Sequence, residues 1–185
     1  MLKNIALIIL ATISFISLFS CGEDNTNEIG HVDGLIKILD SSEEVLHNVD
    51  TTTLFEINIF VKQSIEKIQS KNDTLIKEAA LEADQYINKL KTLYDLSKNY
   101  KKYQIEIDII RTQLNNLKQD LNNGLISKKQ FPAYYEIEQA GVIGINDKIT
   151  HATNGMSNRL DKMKENKAAF EKLINDPKSY TSYYK

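Results

Sequence analysis

The chain reads as an all-α protein: a long antiparallel helical hairpin, coiled-coil-like, with two shorter helices packed on it as an up-and-down four-helix bundle. Three observations predict this. Tyr103, Ile107, Ile110, Leu114, Leu117 and Leu121 recur at spacings of 4, 3, 4, 3 and 4, a heptad seam on one helix face. Asn122-Asn123-Gly124 stops that pattern, and a second long helical pattern follows it. The composition agrees: 185 residues with 2 Pro, 7 Gly, no Trp and 26% charged side chains make a chain poor in loop formers and rich in helix formers.

In chain order the first element is an export signal, residues 1–20. Lys3 supplies the positive start, and the apolar run from Ile5 to Phe19 is shorter than the roughly 20 residues a membrane span needs. The run closes in Leu18-Phe19-Ser20-Cys21-Gly22. This resembles the bacterial lipobox of type II signal peptides, and loosely the small helical lipoproteins of Bacteroidetes type. The resemblance implies that Cys21 is diacylated on sulfur, becomes the mature N-terminus and is then N-acylated, so that lipidated Cys21 attaches the protein to the membrane. It also implies an address in the bacterial cell envelope. Gly22 after the cysteine resembles outer-membrane-destined lipoproteins, facing either the periplasm or the cell surface. Glu23-Asp24 resembles a surface-export signal, with a plain polar tether as the alternative. Cys21 is the only cysteine, so no intramolecular disulfide can form. Residues 21–31 read as a flexible tether, polar in Asn, Thr, Glu and Gly.

The bundle domain is expected over residues 32–177. A first helix over Val32 to Val49 carries Leu35, Leu39, Leu46 and Val49 on one stripe. Ser42 interrupts the stripe, and Ser41-Ser42-Glu43-Glu44 matches a capping box at which the helix could restart. A second helix starts at Thr53, capped with Glu56 after the polar lead-in Asp50-Thr51-Thr52. Leu54, Phe55, Ile57, Ile59, Phe60 and Val61 cover most of its circumference, so it is expected to be the most buried element. Lys71-Asn72-Asp73 breaks it. The third helix spans Thr74 to Asn122, with a first seam through Ile76, Ala80, Ala83, Ile87 and Leu90. That frame meets the heptad through a dropped step near Leu93, Leu96 and Tyr100, a stammer. Ala79, Ala80 and Ala83 are small enough to let the first two helices dock there.

Gly124 supplies the left-handed residue that ends the third helix. Ser127 with Gln130 caps the fourth, Ile126 and Phe131 staple its entry, and Pro132 falls in its first turn. The fourth helix reads as one run to Asn175, stopped by Asp176-Pro177. Its seam is Phe131, Tyr135, Val142, Ile145, Ile149, Ala152, Met156, Met163, Phe170 and Leu173. Counting back from the turn sets Gly141 and Gly144 near Ile107 to Ile110, as close packing or as a hinge. Residues 178–185 form a tail.

The net charge is −2, and removing Lys3 with the signal makes the mature chain slightly more acidic. That balance argues against nucleic acid, which demands a basic face, and against a polybasic membrane patch. Glu44-x-x-His47 is half of a di-iron pattern. Neither His31 nor His151, which has Lys148 three residues before it, completes it. The chain has no nucleophile elbow and no phosphate loop, and the adjacent Glu43 and Glu44 point apart on a helix. No catalytic residue, metal or cofactor is therefore expected. Tyr134, Tyr135, Tyr180, Tyr183 and Tyr184 are the candidate interaction surface, since tyrosine joins a flat apolar face to a polar tip. The reading is a non-enzymatic, lipid-anchored envelope protein that presents a coiled-coil surface to an unknown protein partner. The alternatives are a carrier of a small ligand or lipid inside the bundle, and a homo-oligomeric scaffold.

Overall fold

Helices with one apolar stripe are stable only when that stripe is covered, and here each helix covers another. The structure is a computed structural model that describes residues 24–70 and 77–175. Its elements are α1 (Thr26–His47), α2 (Thr51–Ser70), α3 (Lys77–Asn122), α4 (Phe131–Thr153) and α5 (Met156–Asn175). The protein is an all-α bundle built on a long hairpin, with α3 as one arm, α4 and α5 as the other, and α1 and α2 packed along it. Residues 1–23, where the export signal and Cys21 are expected, the break expected at Lys71-Asn72-Asp73, the expected start at Thr74, Ile76 and everything from Asp176 onward lie outside the described residues.

The spine is α3, which touches all four other helices. Its 46 residues run about 69 Å at 1.5 Å each. Alongside its C-terminal half lies α1, antiparallel: Asp33 pairs with Lys118 at 2.6 Å, and Asp40 and Glu43 pair with Arg111 at 2.5 and 2.6 Å. Beside α4 it runs parallel, with Ser42 Oγ 2.9 Å from Asn146 Oδ1. That contact explains the polar interruption of the α1 stripe, and α1 does not restart there. After a short turn at Asn48 to Asp50, α2 carries on in the same direction along the N-terminal half of α3, where Asn58 Nδ2 donates to Ser97 Oγ at 3.0 Å. The two shorter helices thus lie end to end over the whole spine, and the buried Ala79 and Ala83 stand in the half that meets α2 and α5.

Several boundaries differ from the sequence reading for identifiable reasons. The tether expected to reach His31 is helical from Thr26, because Asn25 and His31 find partners on the hairpin. The cap of α2 is Asp50 rather than Thr53. The Asp50 carboxylate accepts the N–H groups of Thr52 at 3.0 Å and Thr53 at 3.2 Å, and the Thr53 hydroxyl as well. Nor is α2 the most buried element. Leu54, Ile57 and Val61 are buried, but Phe55 is 72% exposed, since only α3 and α5 are there to cover the helix. In α3 the first seam runs through Ala79, Ala83, Tyr86 and Leu90, with Ala80 and Ile87 only half-buried at its margin. The dropped step falls where expected, across the buried Leu90, Leu93 and Leu96, and the helix stays continuous through it.

At the hairpin turn Gly124 has φ +66°, its N–H donates to Leu121 O at 3.1 Å, and Leu125 N–H donates to Asp120 O at 2.9 Å. That pair of bonds is a Schellman motif. The fourth helix begins at Phe131 with Gln130 rather than Ser127 at the N-cap. Gln130 Oε1 accepts Ser127 N–H at 3.1 Å and Ser127 Oγ at 2.8 Å across the turn before it, and Ile126 and Phe131 are both buried. The second arm is not one helix. It breaks at Asn154-Gly155, where Gly155 takes φ +66°. In contrast, α4 runs unbroken through Gly141 and Gly144, and a Cβ at Gly141 would meet Ile110 Cδ1 at 3.9 Å, in the expected register.

Candidate functional site

The first site is the end where the chain enters. Asn25 is only 4% exposed, and its Nδ2 donates to Leu121 O at 2.9 Å and Ile126 O at 3.4 Å. The Leu121 carbonyl lies in the last turn of α3, where helical donors run out. Asn25 therefore pins the start of α1 to the hairpin turn. Just before it, Asp24 accepts Thr26 N–H at 3.1 Å and Thr26 Oγ1 at 2.6 Å, bonds that hold its exposed carboxyl below its usual value. His31 then packs against Phe131 and Tyr135, with ring centres 6.4 and 5.8 Å away. At the apex of the turn Leu125 is 69% exposed.

The second site is a notch midway along the rod, where α1 gives way to α2. Two adjoining grooves share Lys101. One, about 340 Å³, is lined by Glu43, His47, Gln104 and Ile105, the other, about 230 Å³, by Leu54, Phe55, Asn58 and Tyr100. Phe55 and Ile105 stand exposed at its rims, with Ile109 one turn along α3 from Ile105. A straight helix would have covered this stretch of α3, and the break between α1 and α2 leaves it open.

A third feature is a groove of about 330 Å³ between α3 and α5, over Tyr86, Leu90 and Met163, with Lys89, Arg159 and Lys162 around it. The Tyr86 hydroxyl donates to Met163 O at 3.1 Å and closes its floor. Arg159 Nη1 is buried there with no hydrogen-bond partner.

The tyrosines singled out in the sequence do not form one strip. Tyr134 is exposed, while its neighbour Tyr135 turns inward onto His31 and Phe131. Tyr180, Tyr183 and Tyr184 lie outside the described residues. His47 faces the notch and His151 is exposed. Among the described residues no three His, Cys, Asp or Glu side chains are grouped to hold a metal ion, and no helix is long and apolar enough to cross a membrane. Sequence reasoning missed Asn25, Phe55, Lys101 and Arg159. The first had a partner too distant in the chain to see, and an outward Phe55 carries no signal in an otherwise apolar helix. The chain matches no known protein family, no curated protein and no solved structure.

Proposed function

We propose that this is a non-enzymatic, lipid-anchored protein of the bacterial cell envelope that offers its helical surface to a protein partner. The partner surface is the notch around Lys101, and the observation that carries the reading is the exposure of Phe55 and Ile105 on either side of it. Large apolar side chains left exposed beside a groove are what a protein partner can bury as anchors. The lipobox resemblance supplies the attachment at Cys21. Since α1 starts at the hairpin turn, the notch stands the length of α1 away from the anchor end.

Burying a phenylalanine contributes about 1.5–3 kcal/mol, so Phe55→Ser together with Ile105→Ser is expected to weaken capture by roughly 10-fold or more. The test is crosslinking in intact cells followed by pull-down, with the double variant beside the native chain. A partner retained by the native chain and lost by an equally helical variant supports the reading, and partners indifferent to the change would sink it. Protease shaving of intact cells, with Cys21→Ala as the control, decides whether that partner is sought outside the cell or in the periplasm.

The α3–α5 groove favours a second reading, a carrier of a small acidic amphiphile. Its floor is apolar, and the unpartnered Arg159 Nη1 is suited to an anionic head. Native mass spectrometry of protein extracted from its own cells is expected to find a ligand that Arg159→Ala loses. A ligand-free spectrum argues against this reading.

A further inference from the structure

From where the chain enters the bundle, we infer that the hairpin turn is the foot of the molecule and that Leu125 sits in the outer layer of the lipid bilayer. The inference rests on the lipid anchor proposed above. Cys21 precedes Asp24 by three residues, which span at most about 11 Å when fully extended. Asn25 is fixed to Leu121 O and Ile126 O on the turn itself. Asn25 is one residue further on, so an acylated Cys21 holds Asn25 and the turn it clamps within about 14 Å of the membrane surface. A folded domain is wider than that gap, so what faces the turn is lipid.

The turn is built to meet it. In a Schellman motif the residue at the position of Leu125 usually packs on an apolar side chain in the last helical turn. Here the residue at that place is Asp120, whose carbonyl takes the Leu125 N–H, and the leucine is left projecting. Its exposed neighbours Asn122, Asn123 and Gly124 carry no charge that a headgroup layer would strip of water. Exposed Lys129, on the α4 side, can keep its ammonium among headgroups while its stem lies along the surface. The far end of the rod, with Ser70 and Asn175, then points away from the membrane.

The chain has no tryptophan, so one introduced residue reports position without background. The chain from Cys21 onward contains all five helices and their core. We would prepare it as Leu125→Trp and, as a control on the first turns of α3, as Leu81→Trp, another exposed leucine at the other end. Each is coupled through Cys21 to maleimide-headgroup lipid in phosphatidylcholine–phosphatidylglycerol vesicles whose acyl chains carry bromine. Because side chains at this depth lie about 5–10 Å into the interface, the emission of the position-125 probe is expected to fall at least about 2-fold and shift blue, with the position-81 probe unchanged. Two unquenched probes overturn the inference, because the turn then stands clear of lipid. Equal quenching of both also overturns it, because the rod then lies flat. Coupling is chemical, so the result does not depend on acylation in the cell. That is read separately from the mass of the protein extracted from its membrane, and an unacylated Cys21 would remove the anchor reading whatever the probes show.

Discussion

Glu138 occupies a core position of α4, between Tyr135 and Val142, and its partial burial pushes its carboxyl above the usual 4.5. A carboxyl whose pKa is raised on folding stabilises the fold below its unfolded pKa, and that contribution is lost as pH rises through the raised value. At neutral pH the charged Glu138 therefore works against the fold. Glu138→Gln is expected to raise Tm at pH 7, with the gain shrinking toward zero as the pH is lowered to about 4, in thermal melts followed by circular dichroism. Asp50 behaves in the opposite sense. Its bonds to the Thr53 hydroxyl and to the Thr52 and Thr53 amides hold its carboxyl below 3.8. Its contribution is present above 3.8 and lost as the pH falls through its depressed value. Asp50→Ala is thus expected to lower Tm at pH 7 and to matter less in strong acid. The same melts check both, and a Glu138→Gln gain independent of pH would mean that shape, rather than charge, was being relieved.

At the scale of the element, three glycines on the second arm separate by backbone conformation. Gly141 and Gly144 are helical, and an added Cβ meets Ile110 at 3.9 Å at the first and nothing within 4 Å at the second. Alanine at either is expected to stabilise by roughly 1 kcal/mol. Gly155 lies at φ +66°, so Gly155→Ala is expected to cost about 1–2 kcal/mol although nothing crowds it. Urea unfolding midpoints separate these signs, and a Gly155→Ala variant as stable as the native chain would show that the break between α4 and α5 is dispensable. The contrast explains what the sequence could reveal. Helix class, the hairpin turn at Gly124 and the Gly141–Ile110 register follow from local spacing, and all hold. The break at Asn154-Gly155 was hidden because Ala152, Met156 and Met163 continue the heptad across it, and the period outweighed a turn dipeptide in plain view. Asn25 was unreadable for a different reason: the carbonyl it serves lies 96 residues away.

The whole molecule is two short bundles stacked on one spine, and this governs how it comes apart. Near the turn, α1, α4 and the C-terminal half of α3 share leucine and isoleucine layers and the interhelical pairs of Arg111, Lys118 and Lys148. Beyond the notch, α2, α5 and the N-terminal half of α3 meet around Phe60, Tyr86 and Phe170. The Tyr86 and Phe170 rings stack with centres 4.2 Å apart, and α2 touches α5 only lightly. The two parts communicate chiefly through α3 and two brief turns, because α1 packs beside α4 and α2 beside α5. Truncating a buried phenylalanine costs about 3–5 kcal/mol, and each 1.4 kcal/mol is tenfold in an equilibrium. Phe170→Ala is therefore expected to lower hydrogen-exchange protection in α2, α5 and the first half of α3 by roughly 100-fold or more, while α1 and α4 near the turn keep theirs. Mass spectrometry of peptides from the exchanging protein reads both halves at once. Equal loss along the chain would mean that α3 binds the stack into a single cooperative unit. Loss confined to the outer half would mean that the end at the hairpin turn stays folded while the outer end opens, so the Asn25 clamp on the turn survives damage at the far end.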